Sequence, residues 1–183
     1  MGIFDKIRST FGSTELEPGI DKDSGGPGKS ERRRKKRLNA RDDTRALIID
    51  DSPTVVFALK KILRSAGFIT LEALDAEAGL NLARTEIPDV IFLDIILPGI
   101  NGFAALRALR RDPLTQHIPV IMISGNEQAT ELFFGSRIGA DDFMKKPFSR
   151  FEVFARIERL LDSDMIPRRI TTSSEETESP SLE

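Results

Sequence analysis

Five polar residues close short apolar runs, and their types could do chemistry together. Asp50 and Asp51 follow Arg45-Ala-Leu-Ile-Ile. Asp94 closes Asp89-Val-Ile-Phe-Leu-Asp, Ser124 closes Pro119-Val-Ile-Met-Ile-Ser, and Lys146 follows Asp142-Phe-Met-Lys. Singly, each has a plain reading as a turn, a helix cap or a solvated charge. Lys145 reads as such a charge, because alternate strand residues face opposite sides. Together, beyond the carboxyl ends of strands in an open parallel sheet, the five would converge on one edge, where such sheets bind ligands. Two carboxylates about 4 Å apart repel by roughly 4 kcal/mol at an effective dielectric near 20. Three therefore call for a cation, and oxygen ligands without Cys or His suit Mg²⁺. A lysine and a hydroxyl beside it suit phosphoryl oxygens. The chemistry this set suggests is phosphoryl transfer onto a carboxylate, an established nucleophile type.

The elements that must position these residues are legible between residues 44 and 163. Ser52 and Pro53 predict a helix start, and Val55, Val56, Leu59, Ile62 and Leu63 recur at helical spacing before Gly67. A strand is expected over Phe68–Ala73 and a helix over Ala76–Glu86, ended by Pro88. The Asp89–Asp94 strand leads through the loop Leu97–Gly102 to a helix over Phe103–Arg111. The Pro119–Ser124 strand leads to a helix over Glu127–Ile138. Asp142–Lys146 is a short strand, and Ser149 caps a last helix to about Leu161. Five βα units with strands this continuously apolar predict an α/β fold, its parallel sheet covered by helices on both faces.

Composition narrows the classes further. The 183 residues contain no Cys, Trp or Tyr and one His, His117. That excludes disulfides, thiolate zinc sites and Cys nucleophiles, and it weakens aromatic stacking on bases or flavin. No run has the length of a membrane span or the layout of a secretory signal, so a cytoplasmic location is expected. Residues 1–43 carry 11 basic and 8 acidic residues, and residues 164–183 carry 2 and 5. Both segments are poor in apolar residues and are expected to be disordered, an N-terminal extension with a basic run and an acidic tail.

Residues 45–161 resemble the receiver domain of two-component response regulators. The resemblance rests on Ile49-Asp50-Asp51-Ser52, Phe92-Leu93-Asp94-Ile95-Ile96-Leu97-Pro98-Gly99, Asn101-Gly102, Ser124-Gly125 and Lys146-Pro147-Phe148, in order and at fitting spacing. It implies a flavodoxin-like, doubly wound five-stranded sheet of order 2-1-3-4-5 with five helices. It implies Asp94 as phosphoacceptor, and Asp50, Asp51, Asp94 and the backbone carbonyl of Ile96 as Mg²⁺ ligands. Ser124 and Lys146 would contact the phosphoryl group, and Ser124 and Phe143 would form the switch. Phe143 replaces the commoner Tyr and lacks its hydroxyl. Ile96 and Asn126 stand at the positions that flank the attack of water, and their side chains predict slow self-dephosphorylation.

The resemblance implies partners too: a sensor histidine kinase or phosphotransfer protein, and a downstream protein target. The 22 residues after Leu161 lack a periodic apolar face, so no direct DNA binding is expected. The output is expected to be a protein contact through the fourth helix, fifth strand and fifth helix, in the manner of single-domain chemotaxis or twitching-motility regulators. Leu132, Phe133 and Phe134 are consecutive there and cannot all be buried on one helix face. Such a chain is a phospho-accepting signalling protein, not an enzyme in the ordinary sense, although it takes part in its own phosphotransfer and dephosphorylation.

Rival readings are weaker. A haloacid dehalogenase-type phosphatase needs a second Asp two residues after the first, where Ile96 stands. A flavodoxin-like electron carrier needs a phosphate-cradling loop where Asp50 and Asp51 stand. A receiver-fold scaffold signalling without phosphorylation would not require so complete a site. The run Arg32-Arg-Arg-Lys-Lys-Arg37 reads as a solvated charge block or as a contact for an anionic membrane or acidic partner. Ile3, Phe4, Ile7 and Phe11 would share one face of a helix and could join it in a weak two-part contact through residues 1–37.

Overall fold

The computed structural model describes residue 38, residues 40–135 and residues 139–169. Their strands are β1 (Arg45–Ile49), β2 (Ile69–Ala73), β3 (Val90–Asp94), β4 (Val120–Ser124) and β5 (Asp142–Lys145). The helices between and after them are α1 (Pro53–Arg64), α2 (Ala76–Glu86), α3 (Gly102–Arg111), α4 (Glu127–Gly135) and α5 (Arg150–Glu158). The sheet order is β2-β1-β3-β4-β5, and every neighbouring pair is parallel. This is the doubly wound order expected from the resemblance.

Local chemistry sets the element ends. Asp75, Asn101, Asn126 and Ser149 accept hydrogen bonds from Ala78 N (2.8 Å), Ala104 N (2.9 Å), Ala129 N (3.0 Å) and Glu152 N (3.1 Å), capping α2 to α5 in turn. Ser52 stands at the N-cap position of α1, but its side chain makes no capping bond. Gly67, with φ +92°, turns the chain out of α1 into β2, a conformation glycine adopts without strain. Ile87 ends α2 with φ +43°, one residue before Pro88.

The inner strands bury both faces. Along β3, Ile91 and Leu93 join the core under α2 and α3, while Val90 and Phe92 join the core under α1 and α5. All five β3 residues are buried, as are all five of β4. Apolar continuity is therefore the mark of a sheet with helices on either side.

Most strand and helix ends fall within a residue or two of the sequence reading, and the larger differences lie at the ends of the domain. α5 ends at Glu158 rather than near Leu161, because the chain reverses there. Asp162 accepts hydrogen bonds from Asp164 N (2.9 Å) and Ile166 N (3.0 Å), and Leu161 bridges to Pro167. Residues 164–169 belong to the packed domain, with Ile166 buried and Arg169 Nε bonded to Asp141 Oδ1 at 3.0 Å. Leu38 is buried in the α1–α5 core, and Arg41 N donates to Met165 O at 3.0 Å. The folded unit thus extends past 44–163 at both ends. Residues 136–138, expected to continue the fourth helix, lie outside the described residues, as do residues 1–37 and 170–183. No helix among the described residues is long and apolar enough to cross a membrane.

Candidate functional site

The C-terminal ends of β1, β3, β4 and β5 bring the predicted residues together. Pairing places Asp94 opposite Ile123 and Ser124 opposite Lys145. Lys146, one residue on, donates its N–H to Ser124 O at 2.8 Å. That bond fixes the lysine at the mouth of β4 and β5. Its Nζ lies 2.8 Å from Asp94 Oδ2, as a hydrogen bond, and 2.6 Å from Asp50 Oδ2. Lys145 points the other way, exposed and 3.5 Å from Glu127, as the alternation of a strand requires.

The carboxylates differ in exposure. Asp50 and Asp94 are buried at 0% and 4%, while Asp51 is exposed. One oxygen of each lies within 4.8 Å of the others. Asp50 Oδ1 accepts from Ser52 N at 3.0 Å, and Asp94 Oδ1 accepts from Ile96 N at 3.3 Å. Asp50 Oδ2 is buried and receives no well-directed hydrogen bond; Lys146 serves it as a nearby charge.

Burial pushes the Asp94 carboxyl above the usual carboxylate range, and the neighbouring charge of Asp50 adds to this. The bond from Lys146, its charge and the Ile96 N–H only partly oppose that rise. For Lys146, burial acts to lower the pKa, but the two carboxylates outweigh it and the net shift is upward.

These residues fit a divalent cation. Three carboxylates against one ammonium leave two negative charges, and Asp50 Oδ2 is an underused buried oxygen. Buried charge of this kind is costly without a partner. An all-oxygen donor set with one solvent-facing member, Asp51, suits Mg²⁺, which keeps part of its water shell. The Ile96 carbonyl follows two residues after Asp94, on the loop that leaves β3.

Ser124 is fully buried. Its Oγ accepts from Asn126 N at 3.1 Å and donates to Asn126 O at 3.3 Å. Asn126 spends its side-chain Oδ1 on the α4 cap. Ile96 is half exposed, at 51%, beside Asp94. Phe143 is turned into the domain at 7% exposure. Phe133 stacks on it at 4.9 Å between centroids, and Phe134 meets it edge-on at 5.5 Å. Phe134 is itself 72% exposed; the side chain of Leu132 lies outside the described residues.

One positioning residue escaped the sequence reading except as a motif letter. Gly102 opens α3 directly beneath the phosphoacceptor candidate: a Cβ there would sit 2.1 Å from the Asp94 carbonyl oxygen. Gly102 N also donates to Ile95 O at 2.9 Å. Its only signal in the sequence is its place in the Asn101-Gly102 motif.

Comparison with known proteins agrees with this geometry. Residues 46–158 match the response regulator receiver domain model. The chain is 41% identical over 117 residues to protein PilH of Pseudomonas aeruginosa, covering 64% of this chain and 97% of PilH. It is 40% identical over 125 residues to the DNA-binding dual master transcriptional regulator RpaA of Synechocystis, covering 68% of this chain but 52% of RpaA. Among solved structures it is similar to the receiver domain of the sensor histidine kinase PA1611 of Pseudomonas aeruginosa, which has a magnesium ion coordinated in its active-site cleft. That likeness has a TM-score of 0.58 at 26% identity, over 64% of this chain and 95% of that one. With its sheet order, its acidic cluster and these likenesses, the chain belongs to the family of response regulator receiver domains.

Proposed function

We propose that Asp94 accepts a phosphoryl group from a phosphohistidine on a sensor histidine kinase or phosphotransfer protein. An Asp94 carboxylate oxygen attacks phosphorus in line, the P–N bond breaks, and the imidazole leaves as the new P–O bond forms. Asp50, Asp51 and Asp94, with the Ile96 carbonyl, are the residues that would hold Mg²⁺. When bound, the ion supplies positive charge against the phosphoryl oxygens. Lys146 lies in direct contact with Asp94 and adds a fixed ammonium on the same side. Ser124 offers a hydroxyl whose present bond to Asn126 O is long and easily exchanged. Transfer of this kind rests on positioning and charge far more than on covalent help from the protein.

The observation that carries the proposal is Lys146 Nζ bridging Asp50 and Asp94 beside Asp51. The magnesium ion coordinated in the active-site cleft of the PA1611 receiver domain supports the metal assignment. Output would run through Ser124 and Phe143 to the α4–β5–α5 face and a protein target.

Phosphotransfer from purified, labelled histidine kinases of the source organism tests this reading. Label should pass rapidly to the wild type from a cognate kinase in Mg²⁺ and to Asp94→Ala from none. Label reaching Asp94→Ala would overturn the assignment.

A further inference from the structure

The pair Asn101-Gly102 caps and opens α3, and it also carries a reaction of its own. We propose that Asn101 is a site of spontaneous deamidation that the fold holds closed, and that its isoaspartyl product breaks the loop leaving Asp94. The reaction belongs to the dipeptide and does not depend on phosphoryl transfer.

The chain has four asparagines. Asn39 precedes Ala, Asn81 precedes Leu, Asn126 precedes Glu, and Asn101 precedes Gly. A side chain on the following residue hinders approach to its backbone nitrogen, and glycine has none to do so. Asn101 is exposed, so hydroxide and water reach it. Hydroxide removes the Gly102 N–H proton, and the nitrogen attacks Asn101 Cγ. The new N–Cγ bond closes a five-membered succinimide. The side-chain amide nitrogen leaves as ammonia, taking a proton from water. Water then opens the ring in one of two ways. Cleavage at Cγ leaves aspartate in a normal chain. Cleavage at the main-chain carbonyl leaves isoaspartate, with the chain running through Cγ.

In the folded domain both reacting groups are engaged. Gly102 is buried, and its N–H donates to Ile95 O at 2.9 Å. That bond withholds the proton that must leave. Asn101 Oδ1 accepts from Ala104 N at 2.9 Å, which holds the side-chain amide in the α3 cap. Both bonds must break before ring closure, in an opening of the first turn of α3. Local openings of this kind cost less than global unfolding. Deamidation should therefore pass through the same opening that lets the Gly102 amide exchange with solvent.

The two products have different consequences. Aspartate keeps the capping oxygen, and a negative charge at a helix N-terminus is favoured. Isoaspartate adds a backbone carbon directly before Gly102, where there is no space for it. A Cβ on Gly102 would already lie 2.1 Å from the Asp94 carbonyl oxygen and 2.8 Å from Ile95 Cα. The isoaspartyl chain cannot restore the bond from Gly102 N to Ile95 O, so the turn from β3 into α3 stays open.

The test is ageing of the full chain in mildly alkaline buffer, folded and in guanidinium chloride. Peptide mapping by mass spectrometry follows the conversion of amide to acid, and protein isoaspartyl methyltransferase counts the isoaspartyl product. In the unfolded chain Asn101 should convert faster than Asn39, Asn81 and Asn126. In the folded chain its rate should fall by ~10-fold or more and should track hydrogen exchange at Gly102 as denaturant is added below the unfolding transition. The isolated isoaspartyl form should melt below the unaged protein, whereas Asn101→Asp should melt at or above it. Equal rates at Asn101 in the folded and unfolded chains would overturn the proposal, as would faster conversion at another asparagine in the unfolded chain. So would an isoaspartyl form as stable as the unaged protein.

Discussion

At the scale of single residues, the site is an electrostatic balance held in check by one lysine. Asp94 has its pKa raised in the fold, chiefly by burial. The folded state then binds the proton more tightly than the unfolded chain. Stability contributed by this group is lost as pH rises from the ordinary carboxylate range through the raised value. Asp94→Asn should therefore melt at higher temperature than wild type in Mg²⁺-free buffer at neutral pH. The difference should vanish below the ordinary carboxylate pKa, and thermal unfolding across pH reads it directly. Lys146→Ala acts in the opposite sense. It leaves Asp50 and Asp94 buried without their shared cation, which should cost on the order of 2 kcal/mol without metal. Mg²⁺ should restore most of that loss, as calorimetry with and without the ion would show.

The lifetime of the phosphorylated form is also decided by single side chains. Water must be oriented to attack phosphorus, and the two flanking residues are poorly suited to do it. Ile96 is apolar, and Asn126 has its acceptor engaged by Ala129 N. Self-dephosphorylation should be slow. Ile96→Asn should speed it by about 10-fold if the new amide contributes ~1.4 kcal/mol to the transition state. Decay of the phosphorylated protein at fixed Mg²⁺, wild type beside variant, measures this; equal rates would place the control of water elsewhere.

At the scale of elements, the sequence was most readable where local chemistry acts alone. Ser149 caps the last helix as read, Ser52 holds its cap position without a capping bond, and the apolar runs of β1, β3 and β4 marked buried strands. Legibility failed where a distant contact decides. Leu161 belongs to a reversal that depends on Pro167, and Leu38 is buried because α1 and α5 leave room for it. Gly102 matters because α3 begins against the backbone of β3, which no local spacing reveals. The C-terminal reversal makes a prediction of its own. Backbone hydrogen bonds, that from Ile166 N foremost, hold the Asp162 carboxyl below the usual range, and Arg168 assists. Stability tied to a depressed carboxyl is present above its ordinary pKa and is lost as pH falls through the depressed one. Asp162→Ala should speed amide exchange at Asp164 and Ile166 at neutral pH while leaving β3 and β4 protected.

At the scale of the whole molecule, the two-faced sheet separates stability from function. The core lies along the strands, and the chemistry lies at their carboxyl ends. Phe92, fully buried in β3, should cost about 3–5 kcal/mol when cut to Ala. Exposed Lys145, one residue from the site, should cost within ~0.5 kcal/mol. Denaturant unfolding of the two variants checks this contrast. The convergence of Asp50, Asp51, Asp94, Ser124 and Lys146 was legible because a parallel sheet sends every strand end to one edge. Which oxygen faces which charge was not, since that depends on side-chain burial across four strands.

The central claim is that Asp94 is the residue that carries the phosphoryl group. The most direct measurement is peptide mapping by mass spectrometry after incubation with phosphoramidate, with and without Mg²⁺. One added phosphoryl group on Asp94, formed in Mg²⁺ and greatly reduced without it, is the expected result. A modification mapped to Asp50, Asp51 or any other residue, or one that forms equally well without the ion, would contradict the account.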